Sequence, residues 1–342
     1  MASAQQNLIN DLDTDLYPLL FEPVWESPDW GGGLLAETYP NLCRGDSDIG
    51  GICWQVIDDG ELQSKVANGA FAGKSLRHMV EDNPVELVGK GHRPQAPFPL
   101  CCRLLDVGQD QPLGVHPAGT RRRDKREAQS NTKFWHTLAT RGGSRVYAGI
   151  AQRVTGQQLM REVGNHEALL QLVRTFPARE GDSFLIPPGF IHGIAGGNLM
   201  WELEESNVPA YRLSDARHDA EISDEERRAA LDAIIVESRH NPRISRETSG
   251  FTHTRRLPLT RHCPFFLVDE VRLFDHTFMR TTRDSFHFIL MVKGEGIIHY
   301  RDMTLKLQPG QLCCLPAALG EYKVTTAGEP AEFLRVRRPT LT

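Results

Sequence analysis

The chain has 342 residues, 40% of them hydrophobic and 24% charged, with a formal net charge of −5. That length accommodates two modules with separate cores, and the composition is that of an ordinary globular chain. The acidic balance excludes a general affinity for nucleic acid, no apolar run is long enough for a membrane span, and no signal-peptide layout opens the sequence; a cytoplasmic protein without a membrane partner is expected.

Taken in chain order, apolar residues at helical spacing predict a helix over 75–88. Short runs of β-branched, aromatic and aliphatic residues bounded by turn formers then predict strands at 98–105, 134–139 and 145–150. Between the first two lies a basic run, Arg121-Arg122-Arg123-Asp124-Lys125-Arg126, readable as a solvated loop or as the anion-attracting rim of a pocket. The segment 155–175 starts on a Thr and reads as two short helices separated by Gly164. Strands follow at 183–186 and 199–203, then a helix over 223–238 whose Ser-Asp-Glu-Glu opening has capping-box spacing. Further strands are predicted at 265–271, 286–292, 296–300 and 311–315. The seven cysteines include two adjacent pairs, Cys101-Cys102 and Cys313-Cys314, with neither a disulfide framework nor a zinc-knuckle spacing. Neighbours on a strand face opposite sides, so one member of each pair belongs in a core.

The segment from Gly181 through Pro187 to His192 repeats 129 residues later, from Gly310 through Pro316 to Glu321. Each copy reads as a turn glycine, a buried strand, a proline and a bend, which points to duplication of one β-barrel module. The first copy ends on an imidazole and the second on a carboxylate, which puts imidazole-dependent chemistry in the first module. The expected boundaries are 1–220 for a module with the pocket, 221–249 for a helical connector and 250–342 for a smaller second module.

Six segments, in order, resemble the type I mannose-6-phosphate isomerases. They are Tyr17-Pro18 through Pro23 with Trp30-Gly31-Gly32; Phe98-Pro99 through Arg103 to Asp106; Val115-His116-Pro117; Thr132-Lys133-Phe134-Trp135; Gly181 through His192; and Glu202 through Tyr211-Arg212-Leu213-Ser214-Asp215. The resemblance implies a mainly β fold of two cupin-type jelly-roll barrels with a few connecting helices. It implies aldose–ketose interconversion of a hexose 6-phosphate, in which a proton moves between C1 and C2 while a zinc ion polarises the sugar oxygens. Carried over residue by residue, His116 and His192 fall at metal-ligand positions. Glu202, Arg212 and Lys133 fall in the catalytic pocket. Arg103 stands in for a basic residue on the substrate side; Trp30 and Trp135 are read either as a sugar-binding wall or as core aromatics; and Arg121 and Arg122, a short loop after the His116 strand, are expected as substrate-binding residues at the pocket mouth.

The same carry-over exposes departures. Gly114 stands where the family has a Gln ligand, Lys133 where it has a Glu ligand, and Asn131 where it has a phosphate-holding Lys. An ammonium about 4 Å from a divalent ion repels it by roughly 8 kcal/mol at an effective dielectric near 20. Two neutral imidazoles fall short of the three or four protein ligands usual for zinc. Zinc is therefore the cofactor the family implies, and weak or absent zinc binding is what these substitutions predict. Lys133 and Trp135, two apart on a strand, share a face and are expected to point inward with His116 and His192. Two functional readings remain: a sugar-phosphate isomerase with an altered metal site, and a non-catalytic bicupin that senses carbohydrate or binds a partner.

Overall fold

The computed structural model describes residues 15–43, 50–117, 131–206, 210–215, 222–236, 238, 240–244 and 253–339. The chain divides into two compact units, neither of them contiguous. Unit one comprises Met1–Val24, Gln55–Pro99 and Thr248–Thr342; unit two comprises Trp25–Trp54 and Leu100–Glu247. The boundaries expected along the sequence were contiguous. Tertiary pairing draws early segments into unit one instead, as when Leu19 exchanges backbone hydrogen bonds with Cys314.

Unit two is built on two antiparallel layers. In the larger sheet Leu100–Val107, Asn198–Glu205, Lys133–Thr140, Ser183–Ile186 and Arg243–Ile244 lie side by side. Tyr211–Ser214, Leu113–Val115, Ile191–Ile194, Arg145–Ile150 and Val173–Pro177 form the second. Leu105, Trp135, Phe184, Ile186 and Met200 of the larger sheet pack with Val146, Ala148 and Ile194 of the smaller one. Residues 133–138 are buried without interruption, the pattern of a central strand covered on both faces. The other face of the smaller sheet is covered by the helices Gly156–Glu162, His166–Leu172 and Asp224–Ala233, through Leu159, Leu169 and Ala230.

The helix signals are realised with shorter spans. Thr155 with Gln158 and Ser223 with Glu226 both form capping boxes. Gly164, at φ 99°, separates the first pair of helices in a conformation that side chains other than glycine rarely adopt. The expected helix over 155–175 gives way after Leu172 to the strand Val173–Pro177, and the last helix ends at Ala233. In unit one the 75–88 segment splits into Leu76–Asp82 and a wide turn at Pro84–Val88, because a proline cannot donate to the preceding turn. Among the described residues no helix is long and apolar enough to cross a membrane.

Unit one repeats the strand order. Arg255–Pro258, Leu267–Leu273, Ala331–Arg337, His287–Lys293 and Leu312–Leu315 form one sheet; His276–Arg280, Glu321–Thr326, Gly296–Tyr300 and Met303–Leu307 form the other. The Gly181 and Gly310 segments lead into equivalent strands, Ser183–Ile186 and Leu312–Leu315, each paired with a central strand. Their continuations differ by one residue in facing. His192 turns inward, but Glu321, at the same distance from the repeat glycine, is exposed and Tyr322 turns in.

Candidate functional site

In the larger sheet of unit two, Glu202 lies opposite Arg103 on one neighbouring strand and opposite Trp135 on the other, while Glu204 lies opposite Lys133. Directly opposed residues of an antiparallel pair share a face, so sheet register brings two cations, two carboxylates and an indole together. The Arg103 guanidinium donates to Glu202 through Nε at 2.7 Å and Nη2 at 2.5 Å, and reaches Glu204 at 3.5 Å. Lys133 Nζ lies 3.2 Å from Glu202 and 2.8 Å from Glu204. Trp135 Nε1 donates to Glu202 at 2.6 Å, and Asn131 Nδ2 donates to Glu204 at 3.0 Å. Arg103 also stacks over the Trp54 ring, 4.2 Å from its centroid.

This network sets the ionisation of its members. Burial by itself would raise the Glu202 pKa, but the adjacent Arg103 and Lys133 and the Trp135 N–H hold the carboxyl well below the usual carboxylate range. Burial opposes the Lys133 charge, yet Glu202 and Glu204 overcome it and raise its pKa. Glu202, Lys133 and Arg103 are therefore charged near neutrality.

The smaller sheet supplies the opposite wall. His192 is paired with Gly114, and Gly114 in turn with Arg212, which sets Gly114 between the two on one face. His192 Nδ1 donates to the Phe190 carbonyl at 2.9 Å, which leaves Nε2 as the acceptor. Burial, reinforced by Lys133, lowers the His192 pKa to about 4, so the ring is neutral at pH 7. His116 stacks on it with ring centroids 5.2 Å apart and planes 8° from parallel.

A cavity of about 210 Å³ lies between these walls. Trp30, Arg103, Lys133, Trp135, His192, Glu202 and Arg212 all line it, so seven of the ten residues expected at the site meet there. His116 stands behind His192 and is buried. Arg121 and Arg122 lie outside the described residues, as does the rest of the basic run. Sequence reasoning missed Glu204, Tyr211 and Gln111, the first a member of the charge network and the others on the cavity wall. The alternation Glu202-Leu203-Glu204 was the available signal for Glu204, since it puts both carboxylates on one strand face.

These side chains do not fit a zinc ion of the family type. Gly114 offers no oxygen, Lys133 brings a cation, and the nearest acid, Glu202, is enclosed by Arg103, Lys133 and Trp135. The two imidazoles face each other in a stack rather than converging on a shared point. Among the described residues no group of three or more His, Cys, Asp or Glu side chains is arranged to hold a metal.

A family model for the cupin domain of mannose-6-phosphate isomerase matches residues 259–333. A mannose-6-phosphate isomerase of Bacillus subtilis is 28% identical over 318 residues, covering 90% of this chain and 95% of that relative. A putative mannose-6-phosphate isomerase of the same organism is 26% identical over 313 residues, with the same coverage. Among solved structures, the mannose 6-phosphate isomerase of Bacillus subtilis superposes with a TM-score of 0.78 at 22% identity, covering 95% of this chain and 100% of that one. A putative mannosephosphate isomerase of Archaeoglobus fulgidus gives 0.72 at 18% identity, covering 96% and 100%. The structural matches establish the jelly-roll cupin fold, and the domain match and the sequence relatives make this chain similar to mannose-6-phosphate isomerases over most of its length.

Proposed function

We propose that this chain binds a hexose or hexose 6-phosphate in the unit-two cavity without zinc, and does not carry out the isomerisation for which its relatives are named. The observation that carries the reading is the placement of Lys133 Nζ between Glu204 at 2.8 Å and Glu202 at 3.2 Å. A fixed ammonium at the family's acidic-ligand position supplies positive charge where the relatives would recruit a metal. Two indoles, Trp30 and Trp135, suit the C–H faces of a sugar ring, while Arg103, Arg212 and His192 suit its oxygens and an attached phosphate.

Proton transfer between C1 and C2 works best with a base whose pKa lies near the operating pH. Glu202 is held far below that range, and His192 is lowered to about 4. Both are weak bases, which favours binding over turnover. The isomerase reading keeps its support from the relatives' names, and one paired experiment separates the two. Mannose 6-phosphate binding to metal-free protein is measured by calorimetry, beside zinc content and a coupled assay for fructose 6-phosphate formation. Binding with substoichiometric zinc and no turnover is expected. The double variant Gly114→Gln/Lys133→Glu should bind zinc at least tenfold more tightly. Stoichiometric zinc together with turnover in the unmodified protein would overturn the proposal.

A further inference from the structure

A second cavity in unit two, of about 1150 Å³, lies on the side of the smaller sheet where the Arg145–Ile150 and Val173–Pro177 strands meet the loop entering helix Gly156–Glu162. Among the described residues its lining contains two charged side chains, Arg153 and Arg174, and no carboxylate.

Arg174 is held by several independent contacts. Its guanidinium lies 5.8 Å from the Phe176 ring centroid and 5.6 Å from that of Phe190. Its Nη2 donates to the His240 carbonyl at 2.8 Å. The strand opposite makes room for it: the pairing slips between Tyr147 and Ile150, and Gly149 sits there at φ 80°. A Cβ at position 149 would come within 2.6 Å of Arg174 Nη2 and 3.0 Å of the Phe190 ring. Such irregularities re-aim side chains and are common beside binding sites.

Among the described residues the fixed guanidinium has no carboxylate paired with it, and its Nε is buried without a hydrogen-bond partner. Burial lowers its pKa. Arg153, on the same cavity wall, has φ 68°, a conformation uncommon for a side-chain-bearing residue outside glycine-like turns. Gln152 and Thr155 add hydrogen-bonding groups, and Ile150 and Val154 add apolar surface.

We infer that this cavity is a second binding site, for the phosphate monoester of a small organic molecule. Two cations, with no acid among the described lining residues, match a group carrying about −1.5 to −2 charge at pH 7 better than they match a single carboxylate. A planar guanidinium is suited to paired contacts with phosphate oxygens. The surrounding volume and apolar wall leave room for the organic portion.

The test is calorimetric titration of the full-length protein with phenyl phosphate at low salt, with inorganic phosphate as a second probe. Arg174→Met should weaken phenyl phosphate binding at least tenfold, and Arg174→Lys, which keeps the charge but loses the planar fork, should weaken it less. Arg153→Ser, at an exposed position, should weaken it severalfold. Binding of mannose, which carries no phosphate for this cavity to hold, should change less than twofold in these variants, which separates this cavity from the sugar cavity. Unchanged phenyl phosphate affinity in Arg153→Ser and Arg174→Lys overturns the inference even if Arg174→Met fails to fold. Phenyl phosphate binding that is lost only with Arg212→Gln overturns it as well, by moving the ligand to the other cavity.

Discussion

In unit two Arg103 on the strand Leu100–Val107 faces Glu202 on Asn198–Glu205; in unit one Asp269 on Leu267–Leu273 faces Arg335 on Ala331–Arg337. The strand orders coincide, and Glu202 and Arg335 each lie opposite the corresponding residue of the next strand, Trp135 or Ile289. The ion pair has kept its place while its polarity has reversed. The position equivalent to Lys133 is His287, whose Nδ1 lies 2.7 Å from the Tyr322 hydroxyl. Around Tyr322, unit one packs Met279, Ile289, Met291 and Leu319 into an apolar core. Unit two has a cavity on the corresponding side. One strand order thus supports either a filled core or a charged pocket, and the difference lies in a few inward side chains.

The largest effect is expected from removing the carboxylate shared by both cations. Glu202→Gln keeps the shape but leaves Lys133 and Arg103 with only Glu204, and should cost about 3–5 kcal/mol in urea unfolding. Reversing the pair in unit two, with Arg103→Glu and Glu202→Arg together, should not restore stability, because Lys133 would then face an arginine. Full recovery by that double variant would show that Lys133 does not fix the polarity.

A second prediction uses the buried histidines, one in each unit. Burial is the main reason the His192 pKa falls to about 4 and the His287 pKa to about 3, from an ordinary 6.5. Between the folded and unfolded values the unfolded chain binds more protons. The contribution to stability is therefore complete above pH 6.5 and is lost as pH falls toward 4 and 3. Each histidine accounts for at most about 1.4 kcal/mol per pH unit in that window. Melting temperatures measured from pH 7.5 to 4.5 should fall below 6.5, and less steeply in His287→Gln. A flat profile in the unmodified protein would contradict both assignments.

The smallest effect is expected at Tyr322→Phe, which removes the hydroxyl beside His287 and should cost about 1–2 kcal/mol in the same unfolding measurement. Sugar binding should be unchanged, since the filled core belongs to unit one.

The sequence made much of this legible, for local reasons. Strand propensity and turn residues located the strands 145–150, 183–186 and 296–300 to the residue, and a Thr start signal and a capping-box spacing located one helix start each. Alternation put Lys133 and Trp135 on one face. What escaped was tertiary. Counting from the repeat glycine could not reveal that the bend after Pro316 shifts the inward position to Tyr322, and a shift of one residue exchanges the faces of a strand. Nothing local to 15–24 or 55–99 showed that these segments join the C-terminal strands. The engagement of Glu202 by three partners likewise depends on strands brought together from distant parts of the chain.

The reversed ion pair also bears on how a duplicated chain folds. Two copies of one strand order in a single polypeptide invite exchange, in which a strand of one copy enters the other copy's sheet before its own partner arrives. In the native register, such an exchange would set Arg103 against Arg335, or Asp269 against Glu202, burying like charges side by side. Each correct pairing brings opposite charges together, so the reversal acts as a folding checkpoint that tells the two copies apart where their backbones cannot.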